Sequence, residues 1–148
     1  MSFLSEEVYQ QIPGQKEESV FLAGFAEPPT AWKDDSLASQ WNSILDVRGH
    51  VTKKLEEARQ NKLIGSGLEA HVTLTVPAAE HELLVTREQD LPSLFIVSQV
   101  TLLSGQSIDV AVTQAKGTKC ARCWNYSEKT GADKRFPETC PKCVRALA

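Results

Sequence analysis

The residues best able to do chemistry are four cysteines, Cys120, Cys123, Cys140 and Cys143, spaced C-x2-C, sixteen residues, C-x2-C. Two residues between cysteines let both sulfurs of a tight turn converge on one point. Two such turns complete a tetrahedron, and thiolates at ~2.3 Å satisfy a borderline-soft Zn²⁺. Four protein ligands leave no position for water, so one structural Zn²⁺ is expected. An iron-only four-thiolate site has similar spacing and competes for metal identity. No cysteine lies elsewhere in the chain, unlike the scatter of a disulfide framework. Two redox pairs are the other alternative, but such pairs usually come singly beside a βαβ unit, which this tail lacks. Gly131 and Pro137 suit a hairpin between the two cysteine turns.

Around these cysteines stand Arg122, Trp124, Tyr126, Lys129, Lys134, Arg135, Phe136, Lys142 and Arg145. Aromatics with interleaved cations can stack on bases and hold phosphates. Phe136 reads better as part of a very small core, and Trp124 suits either role. Residues 116–148 carry a net charge of +5 and residues 1–115 carry −8. A polyanionic partner would therefore meet the tail first. A solvated lysine-rich tail with no partner has the same composition. Arg122, Lys142 and Arg145 sit at or beside the cysteine turns and are the candidate phosphate contacts, with Trp124 as the candidate stacking residue. Arg48 joins them from the body, because a helical wheel puts it beside the apolar stripe, where either a carboxylate or an RNA phosphate would partner it. A long arginine stem covering apolar surface is the plainer account.

Elsewhere no nucleophile, base or phosphate loop stands out. Gly65-Ser66-Gly67 is too short for a phosphate fingerprint and follows a helix. His50, His71 and His81 share no ligand spacing and read as surface histidines. A chain of 148 residues, 41% hydrophobic and 24% charged, can bury a core and is too apolar for disorder. No run reaches the ~20 apolar residues of a membrane span. The first residues lack a secretory pattern, so a cytoplasmic protein is expected.

The elements that must position the site form an α+β module, a small sheet with packed helices, followed by the four-cysteine finger. Residues 2–12 read as a helix with Ser5 as its cap, stopped by Pro13-Gly14. Residues 13–35 read as connection, with Val20-Phe21-Leu22 a short extended piece. Leu37, Trp41, Ile44, Val51, Leu55 and Ala58 line one side of a helix over 36–63, ended by Gly65 and Gly67. Residues 68–76 alternate as a strand with one buried face. A short helix follows over 78–90, then a strand from Leu94 to Leu103, apolar enough to be central, and a third strand through Ile108, Val110 and Val112. The expected division is 1–35, a helical end and linker; 36–115, the α/β module; and 116–148, the finger.

The order of these features is specific. Leu55-Glu56-Glu57-Ala58-Arg59, then Lys62, then Ile64-Gly65-Ser66-Gly67-Leu68-Glu69-Ala70 resembles the C-terminal part of bacterial isoleucyl-tRNA synthetases. Lys119-Cys120-Ala121-Arg122-Cys123-Trp124 and Thr139-Cys140-Pro141-Lys142-Cys143-Val144 resemble the zinc finger that ends those enzymes. Ser5 to Gly14 with Ser19-Val20-Phe21-Leu22 is similar to the family's link out of its helical bundle. Position 67 is Gly where the family usually has Ser, a change expected to loosen the turn. Neither the HIGH-type nor the KMSKS-type signature is present. The resemblance implies a tRNA-binding C-terminal part of a class I ligase, a monomer, with tRNA(Ile) and the rest of the synthetase as partners. ATP and isoleucine would be handled in a catalytic domain elsewhere. Formamidopyrimidine-DNA glycosylases share such a finger, but their N-terminal Pro-Glu pair is missing. A stand-alone zinc-finger module binding nucleic acid or protein is the remaining alternative.

Overall fold

The computed structural model describes residues 2–147 and falls into two units, Met1–Asp35 and Ser36–Ala148. In the first unit, α1 spans Ser2–Gln11, so Ser5 stands inside the helix and not at its cap. Its last carbonyls are capped by Lys16, whose Nζ donates to the oxygens of Tyr9, Gln10 and Ile12 at 2.7, 2.7 and 2.8 Å. This is how a lysine satisfies acceptors that a helix end leaves open. The Glu6 carboxylate accepts from Ser19 Oγ and the Val20 amide, both at 2.9 Å. Those bonds draw residues 19–23 into a turn, with the Leu22 and Ala23 amides both donating to the Ser19 carbonyl. Val20-Phe21-Leu22 is therefore a turn and not an extended piece. Phe3, Leu4, Val8, Phe21 and Phe25 are exposed.

All but the first residue of α2, Asp35–Gln60, belongs to the second unit. Its buried stripe is Ile44, Val47, Val51 and Ala58, with Leu55 packed beside it. Leu37 and Trp41, predicted on the same stripe, are about 40% exposed, and burial along α2 begins only at Ile44. The helix stops before the glycines. Lys62 adopts φ +58°, the Lys62 amide donates to the Arg59 carbonyl and the Leu63 amide to the Ala58 carbonyl. That pair of bonds is a left-handed C-terminal cap made by a lysine.

The first strand, β1 (Ala70–Val76), alternates as expected: Ala70, Val72, Leu74 and Val76 are buried and the residues between are half-buried. Pro77 precedes α3 (Ala78–Val85). Leu91–Phe95 is a short helix, α4, which takes in Leu94 and Phe95, the first two residues of the expected strand. Pro92 suits a first helical turn, and the 91/95 spacing puts two apolar side chains on one helical face, both buried. Ile96 then takes φ +57° to turn the chain into β2, Gln99–Ser104. The third strand, β3, is Asp109–Gln114. The strand order is β2-β1-β3, β1 pairing parallel with β2 and antiparallel with β3. The central strand is thus β1, and β2, predicted central, lies at an edge. The loop between β2 and β3 crosses the end of β1, where the Gly105 amide donates to the Val76 carbonyl. A Cβ on Gly105 would come within 2.4 Å of the Thr75 side chain.

One face of this sheet is core, shared by α2, Leu84 of α3, Leu91 and Phe95 of α4, and Val97. Each such buried side chain contributes roughly 1.5–3 kcal/mol. The other face carries His71, Thr73, Thr101 and Thr113 in register, with His71 Nε2 2.8 Å from Thr101 Oγ1. Gly67 is not a loosened turn. A Cβ there would meet the Ile96 carbonyl oxygen at 2.7 Å, so glycine permits a close backbone approach.

Candidate metal centre

The finger begins at Gly117, with φ +92° and no room for a Cβ, which would lie 2.3 Å from backbone atoms of Ser127 and Glu128. Two short strands follow, β4 (Thr118–Lys119) and β5 (Tyr126–Ser127), paired antiparallel. The loop joining them is the first cysteine turn. It is closed by the Cys120 amide donating to the Asn125 carbonyl and the Trp124 amide donating to the Cys120 carbonyl, both at 2.9 Å. Hence the hairpin lies around the first cysteine turn and not between the two turns. The connection from 128 to 139 is a series of turns in which Gly131, at φ +83°, leaves a Cβ only 2.6 Å from the Pro137 carbonyl oxygen. The second turn leads into α5, Pro141–Leu147, which carries Cys143.

These elements are stitched directly at the cysteines. The Ala121 amide donates to the Glu138 carbonyl at 2.9 Å, and the Cys140 amide donates to Cys120 Sγ at 3.3 Å. All four sulfurs lie within 4.8 Å of one another, with Cys123 and Cys140 Sγ 3.6 Å apart. A tetrahedron with ~2.3 Å metal–sulfur bonds has edges of about 3.8 Å, whereas a disulfide needs ~2.05 Å. The cysteines are free thiols, and their donor set fits one tetrahedral ion. Burial pushes the Cys120 thiol up, but backbone amides of Cys123, Cys140 and Arg122 outweigh it and bring the thiol down to about 6. Burial and the neighbouring sulfurs of Cys143, Cys140 and Cys120 push Cys123 up to about 12. Cys120 thus ionises more readily than Cys123, and a divalent cation would supply the charge that favours thiolate ligands.

Among the other sequence-predicted residues, Arg122, Lys142 and Arg145 are exposed on the finger. Trp124 is 60% exposed at φ +65°, with Lys119 Nζ 5.9 Å from its ring centre. It is not a core residue. Phe136 is half-buried under the Arg135 guanidinium, 5.7 Å away. Arg48 is half-buried on α2, and its Nε donates to the Leu94 carbonyl at 3.0 Å. Its partner is thus the backbone of α4 and not a carboxylate. Sequence reasoning missed Ser98 and Gln99, which join the finger to the body. Ser98 Oγ donates to the Leu68 carbonyl at 2.5 Å and accepts from the Tyr126 amide at 2.7 Å. Gln99 donates to the Lys116 carbonyl at 2.8 Å and accepts from the Lys116 amide at 3.0 Å. Small polar residues at the start of a strand give no signal of such a role.

Residues 117–146 match a family model described as a zinc finger found in FPG and IleRS. Beyond the finger, nearly the whole chain aligns with isoleucine–tRNA ligases. The ligase of Syntrophotalea carbinolica is 41% identical, that of Geobacter sulfurreducens 40% and that of Carboxydothermus hydrogenoformans 41%, each over 99% of this chain. The chain belongs to the C-terminal region of the isoleucine–tRNA ligase family. It spans 17% of the length of these relatives. For a ligase region of this kind the four cysteines make a zinc-finger group able to hold one metal ion. Among the described residues no helix is long and apolar enough to cross a membrane.

Proposed function

We propose that this chain is the tRNA-binding C-terminal part of an isoleucine–tRNA ligase. In that role the finger, 116–148, holds tRNA(Ile), the α/β module, 36–115, orients it, and residues 1–35 link to the rest of the enzyme. ATP-dependent joining of isoleucine to tRNA belongs to a class I catalytic domain outside this chain, which itself carries no catalytic centre. The working enzyme is a cytoplasmic monomer on this reading. The exposed Phe3, Leu4, Val8, Phe21 and Phe25 supply apolar surface for the rest of the synthetase.

The observation that carries the reading is Trp124. An exposed indole at φ +65° on the first cysteine turn, among exposed cations, is suited to stacking on an unpaired base. Arg122, Lys142 and Arg145 would hold phosphates, which position an RNA without specifying sequence. Arg48, with Nε committed to α4, has a positioning part. The test is binding of the chain to tRNA(Ile) and to duplex DNA at several salt concentrations. About three phosphate contacts give a slope of log K on log salt of roughly −2 to −3. Trp124→Ala should weaken tRNA binding by ~1–3 kcal/mol. No preference for tRNA, with no salt dependence, would favour a protein-binding module instead.

A further inference from the structure

Between the finger and the helical edge of the body lies a cleft of about 400 Å³, within the size range of small-ligand sites. One wall comes from the segment around α4, with Gln89 and Pro92. The other comes from the finger, with Asn125, Tyr126, Lys129 and Lys142. Trp124 is not part of this lining.

We propose that this cleft receives one unpaired nucleotide of an RNA strand, a second contact in addition to Trp124. The inference rests on the RNA-binding reading above and deepens it. Three features point to a nucleotide. Pro92, Pro141 and the half-buried Tyr126 give the lining apolar carbon and one aromatic ring suited to a base face. The amides of Gln89 and Asn125 each offer a donor and an acceptor to a base edge. Neither amide side chain is bonded to another described group, in contrast to Gln99, which is spent on Lys116. Lys129 and Lys142 are exposed cations on the finger side. Glu128 is the one acid of the lining, so cations outnumber it and the balance favours a phosphate.

The cleft is also preformed. The Tyr126 amide on Ser98 Oγ and the paired Gln99–Lys116 bonds hold together the finger and the body that line it. A site whose walls are already fixed loses little freedom on binding. Its volume suits a single nucleotide and not a duplex, which agrees with proteins reading RNA at unpaired positions.

The test uses the zinc-loaded chain, with fluorescein-labelled tRNA(Ile) and a five-nucleotide oligouridylate as probes, read by anisotropy. Ser93→Trp fills the cleft from an exposed position on α4. Gln89→Ala removes one amide without adding bulk and guards against a folding artefact. Each should lower affinity for both probes about fivefold to tenfold, with one zinc per chain and unchanged circular dichroism. If Trp124→Ala weakens tRNA binding while both cleft variants bind like the parent, the cleft is not an RNA site and the proposed function stands. If all three variants bind both RNAs like the parent, the cleft and the proposed function fall together.

Discussion

At Trp124 two unfavourable choices coincide. A non-glycine residue in left-handed backbone costs roughly 1–2 kcal/mol, and an indole 60% exposed recovers little of it by burial. Strain of this kind, once observed, points to function. Trp124→Gly should therefore yield a finger about 1 kcal/mol more stable than Trp124→Ala, while both variants lose tRNA affinity alike. Thermal melts of the zinc-loaded chain measure the first effect, and equal melts would show that φ +65° is not strained here. Arg48 gives a second case. Arg48→Ala should lose about 1–2 kcal/mol in urea unfolding, since it strips a charged donor from the Leu94 carbonyl. Lys53→Ala, on an exposed position of the same helix, should stay within ~0.5 kcal/mol. The wheel was enough to place Arg48 beside the apolar stripe. Its partner was illegible, because a main-chain carbonyl 46 residues away leaves no mark on residue type.

At the scale of elements, β1 was readable because its alternation is a direct record of one buried and one open face. The strand expected over Leu94–Leu103 is real from Gln99 onward; only its start was misplaced, on Leu94 and Phe95 of α4, because periodicity cannot tell a short apolar helix from a buried strand. The cysteine turns were the most legible elements, since metal-ligand spacing fixes their geometry through the chain itself. That geometry has a thermodynamic counterpart. The finger has only two-residue strands, and its buried cluster is made of cysteines. Metal binding can supply ~10–16 kcal/mol to such a unit. A strong chelator should collapse the amide signals of residues 118–146 while those of β1 persist; an ordered finger without metal would overturn this. In the first unit, Glu6 is held below the usual carboxylate range by hydrogen bonds from Gln10, Val20 and Ser19. A lowered folded value means the bond to the turn is intact above pH 4.5 and is lost as pH falls through that lowered value. Hydrogen exchange at the Val20 amide should accelerate on acidification over that range, and Glu6→Gln should abolish the change.

Across the whole molecule, charge segregation was visible in composition alone, with +5 in the last 33 residues against −8 before them. How the two parts are joined was not visible. Gly117 looks like any loop glycine until its missing Cβ is seen to make way for Ser127 and Glu128. Ser98 looks like any strand-edge serine until both of its bonds are traced. That hydroxyl has a consequence for how tightly the ion is held. One oxygen serves both finger and body, accepting from the finger's Tyr126 and donating to the body's Leu68. Coupling between sites is reciprocal, so whatever a bound ion lends to that contact, the contact lends back to the ion. Ser98→Ala should then weaken zinc binding roughly fivefold, the worth of one ~1 kcal/mol hydrogen bond, though every thiol is intact; competition with a chromophoric chelator measures it. An unchanged affinity would mean that finger and body are uncoupled. Otherwise, the grip on a metal ion reports on a serine of the body that never touches it.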